Sequence, residues 1–413
     1  MQSSKRIFAS VDNNGNIVIP KKIALRLGVT PHVDIPLTEL QDGIVLHRSA
    51  THIAKIYLEP TNRCNLACRT CIRNTWDEPQ GDMSSQTFEK ILSSLKTFDR
   101  KPLVFFGGLG EPLAHPAFLD MLRRIQPYAS SIEMITNGTL LDQRMVDGIV
   151  AAGIDVVWLS LDGAHPESYA DVRLGAALPQ VLENAARLRD VRSGGLPHLG
   201  IVFVAMRRNI AELPEVIRIG NRLGVDRFLI TNIIPYTASL QDEMLYGDTM
   251  TIPASGMPSP IAPQVQFTRM DITVATAESL FRLLRSFRLP DSLPTGLPLN
   301  YCPFIESGAC AVSWNGTVSP CLPLLHTHSI YVDGRRRIFR VCSMGNINQQ
   351  PLLSIWNTTE YVAFRKRVQQ FDFSPCTFCG GCHLSRSNDE DCLGNTFPVC
   401  GGCLWSQGLI RCP

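Results

Sequence analysis

The stretch IYLEPTNRCNLACRTC, residues 56–71, decides the fold. It opens on a short apolar run, Ile56 to Leu58, of the length of a buried strand. It then turns into a polar loop carrying Cys64, Cys68 and Cys71. Spacers of three and two residues let three thiolates wrap one iron–sulfur cluster corner by corner, leaving a fourth iron without a protein ligand. A zinc knuckle or three unrelated thiols are the plain alternatives. The strand-then-loop context favours the cluster.

Outward from this loop, residues 56–234 alternate apolar runs with amphipathic segments. The runs are IYL, VFF, SIEMI, VVWLSL, GIVFV and RFLITNII. Between them the helical period recurs, as in Phe88, Ile91, Leu92 and Leu95 behind the candidate N-caps Ser84 and Ser85. Strands buried on both faces and joined by helices predict an α/β fold, a parallel sheet closed or nearly closed into a partial (β/α)6 barrel. Functional residues then belong at the C-terminal ends of the strands.

Composition narrows the function. A formal net charge of +2 over 413 residues provides no basic field for nucleic acid and no acidic tail. No run of eighteen apolar residues and no signal-like N-terminus occurs, so no membrane span and a cytoplasmic location are expected. The 14 cysteines fall into two groups, three from Cys64 to Cys71 and the remainder crowded between Cys302 and Cys412. Clustered thiols with short spacers in a reducing compartment read as metal ligands rather than as disulfides.

Four regions are expected. Residues 1–50 hold the strand-like stretches RIFASVD, NIVIP and GIVLHRS around a helical KKIALRLG. Residues 51–240 form the barrel. Residues 241–300 read as a proline-rich linker with one docked helix, AESLFRLLRSF. Residues 301–413 are cysteine-dense and gain stability from ligation more than from a large core.

The cysteine loop resembles that of the radical S-adenosylmethionine (SAM) superfamily, and further motifs extend the resemblance. It implies a SAM-cleaving [4Fe–4S] cluster on Cys64, Cys68 and Cys71, the open iron taking the amino and carboxylate groups of SAM. In FFGGLGEP, Gly107, Gly108, Gly110 and Glu111 look like the segment that receives the methionine amino group. MITNGTLL and WLSLDG match the family's text after the third and fourth strands. Ser160 and Asp162 are thereby placed to meet ribose hydroxyls, while Asn137 reads equally well as a turn residue. Arg173 is a candidate for the SAM carboxylate, with a solvated surface group as its alternative. Many members carry an aromatic residue just before the third cysteine; here it is Thr70, so adenine packing must come from elsewhere, with Val204 and Ile234 as candidates.

The C-terminal region resembles a SPASM-type auxiliary iron–sulfur domain. Cys302, Cys310 and Cys321 surround Gly316, GNINQQPLLSIW matches the connecting segment, and Cys376, Cys379, Cys382, Cys392, Cys400, Cys403 and Cys412 follow. The resemblance implies two auxiliary clusters. Eleven thiols exceed the eight that two four-cysteine clusters need, and isolated Cys342 is the best non-ligand. Zinc is the rival here, since pairs at two-residue spacing also suit it. Residues 1–50, with VDNNGNIVIPKKIALRLGV (11–29) as the matching core, resemble an AbrB-like swapped-hairpin unit, expected to dimerise or to grip a protein substrate.

Taken together, the motifs look most like the maturases associated with tungsten-cofactor oxidoreductases. That resemblance implies reductive SAM cleavage to a 5'-deoxyadenosyl radical, a peptide or protein substrate, and a low-potential donor such as ferredoxin or flavodoxin. A ribosomal-peptide thioether-forming or sulfatase-type maturase is the alternative. A redox-sensing DNA-binding regulator and a zinc-stabilised scaffold are the readings from other classes.

Overall fold

The computed structural model describes residues 9–26, 29, 35, 37–40, 43–46, 48–192, 195–251, 265–286, 301–377 and 382–413. In the N-terminal region, β1 (Ser10–Val11) pairs antiparallel with β2 (Ile17–Val18), and β3 (Leu37–Leu40) with β4 (Gly43–Leu46). A helix, Lys21–Arg26, lies between the two ribbons. Strand β3 is not among the three stretches expected; its LTEL alternation is too short to separate from loop without its partner.

The six apolar runs become β5 (Lys55–Leu58), β6 (Leu103–Phe106), β7 (Ser131–Thr136), β8 (Val156–Ser160), β9 (His198–Ala205) and β10 (Arg227–Asn232). They pair in that order, all parallel. Helices cover the outer face, the first of them Ser85–Leu95, where the Ser84 side chain accepts the Thr87 N–H at 3.0 Å. Phe88, Ile91, Leu92 and Leu95 on its inner side are buried against the sheet.

The sheet is wider than the sequence implies. Within the 241–300 segment, β11 (Val265–Phe267) adds in parallel to β10. On the opposite edge β12 (Ala309–Val312) adds in parallel to β5, followed by β13 (Thr317–Ser319) and, beyond β14 (His328–Val332) and β15 (Arg335–Phe339), by β16 (Gly345–Asn346). The order β11-β10-β9-β8-β7-β6-β5-β12-β13-β16 leaves β5 and β10 unpaired with each other, so the barrel is open. The three residues of β11, preceded by a run of prolines, carry too little periodicity to read as a strand.

The inward layer fills the lower barrel. Tyr57, Phe105 and Glu133 stand side by side, Trp158 Nε1 donates to Glu133 at 3.1 Å, and Gly200 makes room for the Trp158 ring. The last residues of the chain enter the same space. Asn232 Nδ2 donates to the Leu409 carbonyl at 2.9 Å, the Arg411 N–H to Thr231 Oγ1 at 3.0 Å, and Lys55 Nζ and Tyr57 Oη to the Pro413 carbonyl at 2.7 and 2.9 Å. Among the described residues no helix is long and apolar enough to cross a membrane.

Candidate active site

The loop after β5 brings Cys64, Cys68 and Cys71 to the C-terminal end of the strands, and all three are free thiols. Its shape is held by Cys71 N–H donating to the Cys68 carbonyl at 3.1 Å and Asn74 Nδ2 to the same carbonyl at 2.7 Å. Burial raises the Cys64 and Cys71 thiols above their ordinary range, so a cluster bound here must displace protons. Arg73 works in the opposite sense on both. It is a cation beside the cluster loop that sequence reading did not single out.

The glycine segment lies directly on this loop. A Cβ on Gly110 would stand 2.2 Å from the Thr61 carbonyl oxygen, and Glu111 N–H donates to the Arg63 carbonyl at 2.8 Å. Glu111 itself is enclosed. Its Oε1 accepts from Thr136 Oγ1 at 2.8 Å and Leu113 N–H at 3.1 Å, and its Oε2 from Asn137 N–H at 2.8 Å; burial raises its pKa to about 7. The carboxylate thus ties β6 to β7. Asn137 turns its amide toward the cluster loop, Nδ2 donating to Asn65 Oδ1 at 3.0 Å and lying 3.7 Å from Cys64 Sγ.

Asp162 and Arg173 form a buried pair, Arg173 Nε donating to Asp162 Oδ2 at 2.7 Å while Asp162 Oδ1 accepts the Val204 N–H at 2.8 Å. With both oxygens so engaged, Asp162 aims Arg173 at the cluster loop, where the guanidinium acts on Cys68 and Cys71. Removing one partner of such a pair costs about 3–5 kcal/mol, because the other charge stays buried. Ser160 ends β8 and is buried, with no hydrogen-bond partner for its hydroxyl among the described residues.

These elements enclose a chamber of about 200 Å³. Thr70 and Ile72 of the cysteine loop, Gly108 and Leu109 of the glycine segment, Val204 and Ile234 of the later strand ends bound one side. Tyr236, Leu322, Pro323, His328, Trp405 and Cys412 close the other. The C-terminal region therefore supplies seven of the seventeen residues that line the chamber.

Within that region, Cys302, Cys321, Cys400 and Cys403 line one enclosed apolar pocket with Phe304, Leu324, Phe364 and Val399. Burial pushes the Cys302 thiol to about 12 and raises Cys321, Cys400 and Cys403. Four thiols converging on one dry pocket fit a cluster as a donor set. Cys376 and Cys392 lie together elsewhere, Ser374 Oγ standing 3.0 Å from Cys392 Sγ, with Cys382 nearby in sequence and Cys379 outside the described residues. Cys310 and Cys342 are buried apart from the four-thiol pocket, and Cys412 faces the chamber. Among the described residues no group of three His, Cys, Asp or Glu side chains is placed to hold a single metal ion.

A buried triad locks the halves together. Glu59, at the end of β5, accepts from the Leu109 N–H at 3.0 Å and meets His326 Nε2 at 2.8 Å. Glu78, from the segment after the cysteine loop, bonds His326 Nδ1 and accepts the Thr327 N–H at 3.0 Å, while Trp76 meets the ring edge-on. Burial opposes the charge on His326, but the two carboxylates outweigh it and raise its pKa to about 9. Its folded pKa exceeds its unfolded one, so the stabilisation is full below about pH 6.5 and is lost as pH rises through about 9. The shift corresponds to about 3 kcal/mol. In anaerobic denaturation series, wild type is expected to lose that amount relative to His326→Gln between about pH 6.5 and 10; parallel curves would show that His326 is not charged.

Comparison with known proteins places these motifs. The radical SAM superfamily model matches residues 58–220, and the SPASM iron–sulfur cluster-binding domain matches residues 302–383. The tungsten-containing aldehyde ferredoxin oxidoreductase cofactor-modifying protein of Pyrococcus furiosus is 31% identical over 365 residues, 87% of this chain and 96% of that protein. An AdoMet-dependent heme synthase of Methanosarcina barkeri is 24% identical over 356 residues, 84% of this chain and 89% of that protein. Among solved structures, anSMEcpe with bound AdoMet shares the fold at a TM-score of 0.54 and 17% identity, over 81% of this chain and 84% of that one. Streptococcus suis SuiB bound to precursor peptide SuiA does so at 0.53 and 16%, over 81% and 72%. A radical SAM domain brings SAM and a [4Fe–4S] cluster, and a SPASM domain brings further iron–sulfur clusters. The thiols that the fold gathers lie in the matched segments or follow them, and the chain belongs to the radical SAM superfamily as an enzyme with a SPASM-type iron–sulfur domain.

Proposed function

We propose that this enzyme modifies a peptide or protein substrate in the maturation of a tungsten-cofactor oxidoreductase system, with Cys64, Cys68 and Cys71 holding the SAM-cleaving cluster. One observation carries the reading: the chamber is bounded on one side by the cysteine loop and on the other by the cysteine-rich domain. Likeness to the Pyrococcus furiosus protein supports the tungsten setting, and the peptide complexes of SuiB and anSMEcpe support the substrate class. SAM bound at the cluster supplies, on one-electron reduction, a 5'-deoxyadenosyl radical that takes a hydrogen atom from substrate.

The chain's own residues do the rest. Asp162 orients Arg173, Glu111 fixes the ends of β6 and β7 around the glycine segment, and the chamber presents a mostly apolar wall to the substrate. We assign two auxiliary clusters, one on Cys302, Cys321, Cys400 and Cys403, which share a pocket, and one on Cys376, Cys379, Cys382 and Cys392, which are neighbours in sequence. These use eight ligands and leave Cys310, Cys342 and Cys412. The electron donor is a ferredoxin or flavodoxin, and the N-terminal ribbons mediate dimerisation or substrate grip.

The test is an anaerobic pull-down followed by incubation with enzyme and SAM. One captured polypeptide should acquire a defined mass change with wild type, and not with a Cys64, Cys68, Cys71 triple alanine variant. Turnover of a small molecule with every captured polypeptide unchanged would overturn the peptide assignment.

A further inference from the structure

Three side chains of the chamber wall are unused by the mechanism above. Cys412 lines the chamber, and Trp405 Nε1 donates to its sulfur at 3.3 Å. It is not among the residues lining the four-thiol pocket, although Cys403 of that pocket lies only two positions before Trp405. Tyr236, another wall residue, feels both Cys71 of the SAM cluster loop and Cys412.

Two buried acceptors stand on the same wall. Asn232 is 1% exposed, its Nδ2 donating to the carbonyls of Arg269 and Leu409 at 2.7 and 2.9 Å. Its Oδ1 is buried without a partner among the described residues. An orphaned amide oxygen costs about 1–3 kcal/mol, so it marks a place where a ligand donor is missing. His328 is 5% exposed, stacked on Phe339 at 5.4 Å and edge-on to Tyr236 at 5.8 Å. Its Nδ1 is 3.0 Å from the His326 carbonyl, which can only accept, so Nδ1 carries the hydrogen and Nε2 a lone pair. Burial lowers its pKa and keeps the ring neutral. Beside the Arg411 cation, the wall thus offers two neutral acceptors on largely apolar ground, suited to a substrate group bearing N–H or O–H donors, such as a peptide amide.

We propose that Cys412 is the hydrogen-atom donor of this chamber, passing its thiol hydrogen to a carbon-centred radical held against Asn232 and His328. The S–H bond breaks, a C–H bond forms, and a thiyl radical remains on Cys412. The thiyl is restored by one electron from a reduced iron–sulfur centre and one proton from solvent. A thiol S–H bond is weaker than an unactivated alkyl C–H bond, so the transfer runs downhill to an alkyl radical such as the 5'-deoxyadenosyl radical. The proposal rests on the radical SAM assignment.

The test needs no knowledge of the substrate. Anaerobic holoenzyme exchanged into deuterium oxide, where the thiol becomes S–D, is reduced with SAM alone, and the 5'-deoxyadenosine is weighed by mass spectrometry. Wild type is expected to yield product carrying one deuterium, and Cys412→Ala and Cys412→Ser product with at least about tenfold less label. Iron content should equal that of wild type in both variants. Formation of 5'-deoxyadenosine by wild type, labelled or not, separately secures the radical SAM reading. Unlabelled wild-type product, label persisting in the variants, absence of product from an iron-replete variant, or loss of iron in both variants would each overturn the donor role.

Discussion

Replacing Cys64, Cys68 and Cys71 together by alanine is expected to bring reductive SAM cleavage to background, a loss of about 10³-fold or more, equivalent to at least about 4 kcal/mol of barrier. The difficult step belongs to the cofactor, and the protein's part is to hold it; without thiolates at the end of β5 nothing else in the loop can ligate iron. The glycine segment, Glu111 and the Asp162–Arg173 pair are tied to backbone and to one another, so they should stay in place in the variant. Chromatography of 5'-deoxyadenosine from reduced enzyme checks this, and retained cleavage would remove the loop from the chemistry.

The second large effect is expected at the four-thiol pocket. Replacing Cys400 and Cys403 by alanine should remove about four irons per chain, one [4Fe–4S] cluster, while reductive SAM cleavage persists. All four thiols are pushed up by burial in an apolar pocket, so they hold their protons until a cluster displaces them, and two ligands alone cannot meet that cost. The same variant should unfold more readily, since a cluster on these thiols would join the Pro303–Glu306 helix, the start of the Leu322–Leu324 turn and the 400–403 turn. Iron analysis beside thermal denaturation checks it. An unchanged iron content would mean that these cysteines are not ligands.

Much of the barrel was legible because its signals are local. Six apolar runs became six parallel strands, and Ser84 could be read as an N-cap because capping depends on three neighbouring residues. What escaped the reading depends on contacts far apart in sequence. Glu59, Glu78 and His326 are 248 or more positions apart across the triad's His bonds, and no periodicity announces such a meeting. The return of residues 408–413 into the barrel, through Asn232, Thr231, Lys55 and Tyr57, is equally silent in the sequence. It is this return that carries Cys412 into the chamber. Spacing likewise could not say which thiols share a pocket: Cys302 and Cys321 combine with the late pair Cys400 and Cys403 rather than with Cys310 between them.

Glu111 and Asp162 teach a related lesson. Their motifs mark them as expected SAM contacts, and in the folded chain the Glu111 carboxylate also takes three protein hydrogen bonds and Asp162 also holds Arg173 and the Val204 amide. Both are positioned to fix the groups around the chamber. Of the glycine segment, Gly108 and Leu109 line the chamber itself.

The central claim is that one chain keeps a SAM-cleaving cluster on Cys64, Cys68 and Cys71 apart from two auxiliary clusters on separate thiols. Mössbauer spectroscopy with iron counting on the anaerobically reconstituted Cys64, Cys68, Cys71 triple alanine variant tests it most directly. The account predicts about eight irons per chain, all as four-iron clusters with complete cysteine ligation. About four irons or fewer, with zinc making up the balance, or loss of all iron together with the first site, would contradict it.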